Sequence, residues 1–261
     1  MGIINVTPDS FADGGVRFDP QRAIDDGLQM IEDGADLLDV GGESTRPGAE
    51  PLPAAEELRR VLPVVERLAA DLRILVSIDT YKSVVAKEAL ARGAAIVNDV
   101  GGLQFDAGLA QVVAETKAAV VLMHNRGRSR EMYKEAVYGD VPAEIVAELG
   151  QAVARATTAG VAREVIIVDP GLGFAKRAGH SYQALAHLDA LAALDRPILA
   201  GPSRKSFLKD AIGDKDPAGR EWATAGAVAA SVILGAHIVR VHGVREMADV
   251  VRVADRIAGA R

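Results

Sequence analysis

The stretch GADLLDVGGESTRPGAEPLPAAEELRRVLPVVERL, running from Gly34 to Leu68, decides the fold. It opens on a glycine that fits a helix stop and passes through a mainly apolar run at 37–40. A loop of glycines, hydroxyls and one arginine follows. The stretch ends on Leu58, Val61, Leu62, Val65 and Leu68 at helical spacing, with Pro63 placed to bend that helix. A short run without polar alternation is expected where protein covers both faces of a strand. One strand, one loop and one amphipathic helix make a complete unit.

The unit recurs along the chain. Strands are predicted at 2–5, 37–40, 74–79, 95–98, 120–124, 165–169, 197–200 and 238–242. Amphipathic segments lie between them, such as the one carrying Ala23, Ile24, Leu28 and Ile31, and Gly34, Gly93, Gly160 and Gly235 each fit a helix stop just ahead of the next strand. With 261 residues, 49% of them apolar, the chain can bury one large core. The repeating order predicts an α/β protein, a single-domain (β/α)8 TIM barrel over 1–261. A doubly wound sheet is the alternative, because strand count alone does not prove closure.

Charged residues make up 25% and carry a net charge of −6, both signs interspersed. No basic stretch or aromatic platform points to nucleic acid. Without cysteine there is no disulfide and no thiolate metal or redox site. No segment resembles a signal peptide and no apolar run approaches membrane-spanning length, so the expected location is the cytoplasm. The polar stretch 126–140 is expected to be an extended loop.

The unusual residues gather just after the predicted strands, and in a barrel those positions meet on the face where active sites form. Asn5 ends the first strand and could offer an amide oxygen to a hard cation such as Mg2+; the loop after it also reads as a Pro/Gly turn. Thr45 supplies a hydroxyl and Arg46 a rigid donor fork, although an isolated loop arginine is more often simply solvated. Asp79 and Asn98 follow the third and fourth strands, where each alone would read as a helix cap. With Asp169 they place acceptors and an amide around one barrel mouth, matching the donor–acceptor edge of a pterin.

Asp169-Pro-Gly-Leu-Gly-Phe174 is not a dinucleotide fingerprint, since Lys176 stands where the third glycine belongs; Phe174 is expected to be a wall or stacking surface. Ser203, Arg204 and Lys205 cluster after the seventh strand and Arg240 and His242 end the eighth, the region where barrels often hold phosphate. The alternative for Lys205 is a surface lysine opening a helix. The 5 histidines form no zinc constellation, and His242 suits a hydrogen-bond donor to an anion.

Taken in order, NVTPDSFADGG, GGESTRPGA, SIDTYK, VND, DPGLGF, SRKSF and RVH resemble the dihydropteroate synthase family, from Gly2 to about Val244. The resemblance implies a Mg2+-dependent transferase that joins 6-hydroxymethyl-7,8-dihydropterin diphosphate to p-aminobenzoate and releases diphosphate. It implies Asn5 as the Mg2+ ligand, and Asp79, Asn98, Asp169 and Lys205 around the pterin, with Met123 and Phe174 among the substrate-binding residues. It further implies Arg240 and His242 on the diphosphate, and Thr45, Arg46, Pro47 and Ser203 on the aminobenzoate side. Lys205, Asp79, Asp169, Arg240 and His242 are the expected catalytic set.

Departures from the family pattern are Asn125-Arg126-Gly127, where many members have Met-Gln-Gly, Gly243 in place of a common Asp, and Ala12 in place of a frequent Ser. They bear on affinity and loop behaviour rather than on reaction type. Homodimerisation is implied by the resemblance alone; the apolar segments 225–234 and 247–257 could serve it or simply pack on the barrel. The rival readings are a pterin-binding methyltetrahydrofolate methyltransferase barrel, which would not be expected to keep both STRPG and SRKSF, and an inactive pterin carrier, which the intact Asn5, Lys205, Arg240 and His242 oppose.

Overall fold

A computed structural model describes residues 1–7, 20–45, 48–128, 133–134 and 136–260. Its strands are β1 (Gly2–Asn5), β2 (Leu37–Gly41), β3 (Leu75–Asp79), β4 (Ile96–Asp99), β5 (Ala119–Met123), β6 (Ile166–Asp169), β7 (Leu199–Ala200) and β8 (Ile238–Val239). The helices are α1 (Pro20–Glu32), α2 (Ala54–Ala69), α3 (Ser83–Ala91), α4 (Leu109–Thr116), α5 (Val141–Thr158), α6 (Ala178–Ala186), the short α7 (Lys209–Ile212), α8 (Glu221–Ile233) and α9 (Val244–Ala258). Pro63 lies inside α2, whose helical run continues through it. The four glycines expected as helix stops all have φ between +96° and +102°, a conformation that costs glycine little.

β1 to β6 pair in sequence order, all parallel, and β7 pairs with β8. Parallel bridges Val168↔Ile198 and Gly2↔Val241 join the two sheets at both seams. Ile3 N donates to Val241 O at 3.0 Å and Val241 N to Met1 O at 2.9 Å across one of them. The strand ring is therefore closed, which decides for the barrel against the open sheet. β7 is shorter than the expected 197–200 because Pro197 has no N–H to give the ladder. β8 stops before the expected 238–242: it is interrupted at Arg240 and resumes only as the bridge at Val241.

Two apolar layers hold the ring. One lies between strands and helices and includes Leu38, Val40, Val76, Ile78, Leu68 and Val97. Each large aliphatic side chain buried there contributes roughly 1.5–3 kcal/mol. Gly27 of α1 belongs to this layer, since a Cβ there would lie 2.9 Å from Ile4 and Leu68. The second cluster, Met1, Ile96, Val121 and Leu199, fills the barrel interior. It lies toward the N-terminal ends of the strands; toward the other end polar side chains take over. The register sets them around the rim, with Asn5 opposite Gly41, Gly41 opposite Asp79, Asp79 opposite Asn98 and Met123 opposite Asp169. Among the described residues no helix is long and apolar enough to cross a membrane.

Candidate active site

A cavity of about 710 Å3 opens at the C-terminal ends of the strands. Asn5, Thr45, Asp79, Phe174, Ser203, Lys205, Arg240 and His242 all line it. Asn98, Met123 and Asp169 are buried beside the same strand ends. An adjoining cavity of about 530 Å3 shares Glu43, Thr45 and Phe174 and continues between Tyr81, Phe105 and Arg128. Arg46, Pro47 and Ala12 lie outside the described residues.

The floor is a charged network across the barrel. The Arg240 guanidinium donates through Nε to Asp39 Oδ2 at 2.6 Å and through Nη2 to Asp79 Oδ2 at 2.8 Å. Asn98 Nδ2 donates to the same Asp39 oxygen at 2.9 Å, and Asp39 Oδ1, fully buried, has no protein hydrogen-bond partner. Burial pushes Asp79 up to about 7 against the pull of Arg240. Burial also raises Asp169, whose Oδ1 accepts from Gly171 N at 2.7 Å. Asp99, by contrast, is used locally: its carboxylate accepts from the Gly101 and Leu103 amides and shapes the turn after β4.

Lys205 is no surface lysine. It sits with Nζ 3.9 Å from the centre of the Phe174 ring, and burial, helped by Arg240, lowers it to about 8. A cation over an aromatic face is stabilised by the ring quadrupole. Ser203 Oγ lies 2.9 Å from His242 Nδ1 and also accepts from the His242 amide at 3.2 Å, which ties the two strand-end loops together. Asp79 does not cap α3: the N-cap position is Lys82, whose side chain makes no cap hydrogen bond, and Asp106 Oδ2 accepts from the Ser83 amide at 2.7 Å, which leaves Asp79 for the cavity.

Three buried groups escaped the sequence reading. Asp39 was hidden in an apolar run, although a carboxylate inside such a run was itself a signal. Lys176 was noticed only as a missing glycine, yet its side chain is fully buried. Its Nζ lies 2.7 Å from His124 Nδ1, and His124 Nε2 lies 3.1 Å from Glu148 Oε2. Burial lowers His124 to about 4, so the ring is neutral near pH 7. Nothing in the local sequence forecasts that chain of contacts, because it joins β5, α5 and the loop after β6.

The donor set also permits a judgement on metal. Asn5 is the exposed end of an otherwise buried strand, and it faces the cavity that Arg240 and His242 share. Among the described residues no group of three His, Asp or Glu could hold an ion. A single neutral oxygen fits Mg2+ only if substrate phosphate and water supply its other positions, which is the usual habit of that ion.

Comparison with known proteins agrees with this geometry. Residues 1–242 match the family described as pterin binding enzyme. The chain is 47% identical to dihydropteroate synthase of Mycobacterium leprae, covering 97% of this chain and 91% of that protein. Its fold matches the Xanthomonas albilineans dihydropteroate synthase solved with 4-aminobenzoic acid, at a TM-score of 0.92 and 42% identity, over 98% of this chain and 92% of that one. It also matches the Yersinia pestis enzyme in complex with a sulfonamide drug, at 0.94 and 38%, over 99% and 94%. The chain belongs to the dihydropteroate synthases, transferases of folate synthesis, and the methyltransferase and carrier readings fall away.

Proposed function

We propose that the enzyme joins 6-hydroxymethyl-7,8-dihydropterin diphosphate to p-aminobenzoate by holding the two halves of a charge separation at fixed places. The observation that carries this is the single cavity lined by Asp79, Lys205, Arg240 and His242, with Asp169 and Asn98 beside it. Asp169, Asn98 and Asp79 accept the amino and imino N–H groups of the pterin, and Lys205 donates to its ring acceptors. Phe174 forms a wall shared with the adjoining cavity, where Thr45 borders the arylamine. Arg46 and Pro47 are assigned to the same arylamine side, with Ser203.

Arg240 Nη2 donates to the Asp79 carboxylate at 2.8 Å. A pterin donor that takes this oxygen displaces Nη2 while Nε stays on Asp39, turning free N–H groups toward the diphosphate. Breaking the methylene C–O bond sends its electron pair to the diphosphate, where Arg240 and His242 meet the developing charge. The arylamine nitrogen lone pair forms the new C–N bond, and the nitrogen then gives its extra proton to the departing diphosphate or to solvent. Because the pterin ring itself stabilises a cationic methylene, and Asp79 and Asp169 favour that charge, no strong general base is needed. Positioning and electrostatics carry the catalysis. Asn5 would hold Mg2+, which supplies charge neutralisation on the diphosphate oxygens when bound.

The proposed compartment is the cytoplasm and the proposed assembly a homodimer. The packed pair α8 and α9 exposes Trp222, Val253 and Ile257, apolar surface that suits a second copy.

The test of the chemistry is diphosphate release measured with each substrate alone and with both. Release that requires p-aminobenzoate is expected. Equal release from the pterin diphosphate alone would make the protein a hydrolase and overturn the proposal.

A further inference from the structure

The loop between β6, which ends on Asp169, and α6 bears Phe174 and follows an unusual backbone path. Gly171, Ala175 and Gly173 all have positive φ, at +66°, +47° and +80°. The conformation costs the two glycines little, but at Ala175 it is strained and persists only because its surroundings hold it. Gly171 and Phe174 point their carbonyls at one atom, the Lys176 amine, at 3.2 and 3.1 Å. That amine completes its hydrogen bonding on the neutral His124 ring at 2.7 Å. The His124 ring is held in turn through its Nε2–H by Glu148. Glu148 is drawn down to about 2, against its own burial, by His124 and by Arg126, which also grips Glu144. The Lys176 Nζ is thus spent on the loop and on His124, the residue after β5.

We infer that Lys176 is a positioning residue for the pterin side of the site. It is a buried amine whose hydrogen bonds lock the 170–175 loop, so that Asp169 and the Phe174 wall stand in the places the pterin requires. Lys176 also lies within electrostatic reach of Asp169 and pulls that carboxyl back toward its ionised form, opposing the burial that raises it. Burial lowers Lys176 itself to about 7, and Asp169 opposes the fall. The two groups support each other's charges through the loop they bracket. The cavity that Thr45 borders shares Phe174 alone with the 170–175 loop, whereas the pterin side depends on both Asp169 and Phe174.

The inference rests on the assignment of Asp169 and Phe174 to the pterin, and the experiment separates the two. KM for each substrate would be measured for wild type, Lys176→Met and Asp169→Asn, with folded fractions from circular dichroism. Lys176→Met should raise KM for the pterin diphosphate about tenfold and KM for p-aminobenzoate less than twofold. A merely structural role would lower the concentration of active enzyme, reducing kcat and leaving both KM values alone, and that result overturns the inference. Asp169→Asn with an unchanged pterin KM overturns the site assignment as well.

Should Lys176→Met fail to fold, the chain's lack of cysteine offers a second route. Lys176→Cys, alkylated when unfolded with 2-bromoethylamine and refolded, regains a lysine-like amine at that position alone. Recovery of pterin KM with the amine but not with a neutral propyl adduct supports the inference. Equal recovery with both adducts defeats it.

Discussion

Replacing Lys205 with methionine should make the folded protein more stable at pH 7 while removing most of its activity. The side chain is held over Phe174 and beside Arg240, and its amine falls from 10.5 to about 8. That fall corresponds to roughly 3 kcal/mol of cost to the charged form in the folded state. Partial solvent contact and the attraction of the Phe174 ring reduce the gain from removing the charge to about 1–2 kcal/mol. Methionine keeps the apolar stem in place, so no cavity offsets it. The folded pKa lies below the unfolded one, so the unfolded chain binds more protons between pH 8 and 10.5. The charge cost is therefore fully present below pH 8 and is relieved as pH rises through that window.

Calorimetry should show Lys205→Met melting roughly 3–6 °C above wild type at pH 7, with the gap closing toward pH 10.5. In the same variant kcat/KM should fall about 100-fold, the loss of one charge-assisted hydrogen bond of roughly 2–3 kcal/mol to the pterin. A variant no more stable than wild type at pH 7, or a gap that ignores pH, refutes the electrostatic reasoning. Near-normal kcat/KM refutes the assigned role.

Arg240→Met leaves Asp39 and Asp79 buried without their cation, and urea unfolding at pH 7 should show a loss of about 3–5 kcal/mol. Orphaned carboxylates have raised folded pKa values, so this deficit should shrink as pH falls toward 4; a deficit constant with pH would contradict it. Gly171→Ala places a Cβ 2.0 Å from the His124 carbonyl oxygen in a left-handed conformation. The loop must move, and calorimetric affinity for a pterin ligand should drop at least about tenfold, whereas unchanged affinity would show that the loop does not shape the pterin side. Chelation of Mg2+ should raise KM for the pterin diphosphate about tenfold or more and leave binding of the non-phosphorylated pterin alcohol untouched; Asn5→Ala should mimic it. A sulfonamide should compete with p-aminobenzoate and bind at least about tenfold more tightly once diphosphate and Mg2+ are present, and equal titrations would reject pre-organisation of the arylamine side.

The barrel was legible because each of its units repeats the pattern read from Gly34 to Leu68: a glycine stop, an apolar run, a loop and a helical stripe. Closure was not legible, since it rests on single bridges such as Gly2↔Val241, which no local pattern encodes. The short β7 and β8 show the same limit. Their runs look like full strands, but Pro197 lacks a donor and Arg240 interrupts the second run, where its side chain pairs with Asp39 and Asp79.

For the site, the readable residues were those ending strands, because strand ends of a barrel meet whatever the intervening sequence does. Asn5, Asp79 and Asp169 end their strands, Asn98 lies one residue from the end of β4, and Lys205, Arg240 and His242 follow β7 and β8. The hidden ones obey a different logic. Asp39 lies two residues before the end of β2, and its role exists only because Arg240, 201 positions later, reaches across the ring to it. Lys176 acts on carbonyls that face it only because Gly171 and Gly173 adopt positive φ. A buried lysine cannot be distinguished from a solvated one by residue type. What betrays it is the absence of any apolar explanation for two left-handed glycines set between a strand-end carboxylate and an aromatic ring. Such a loop needs an internal donor, and Lys176 is the first side chain after it that can supply one.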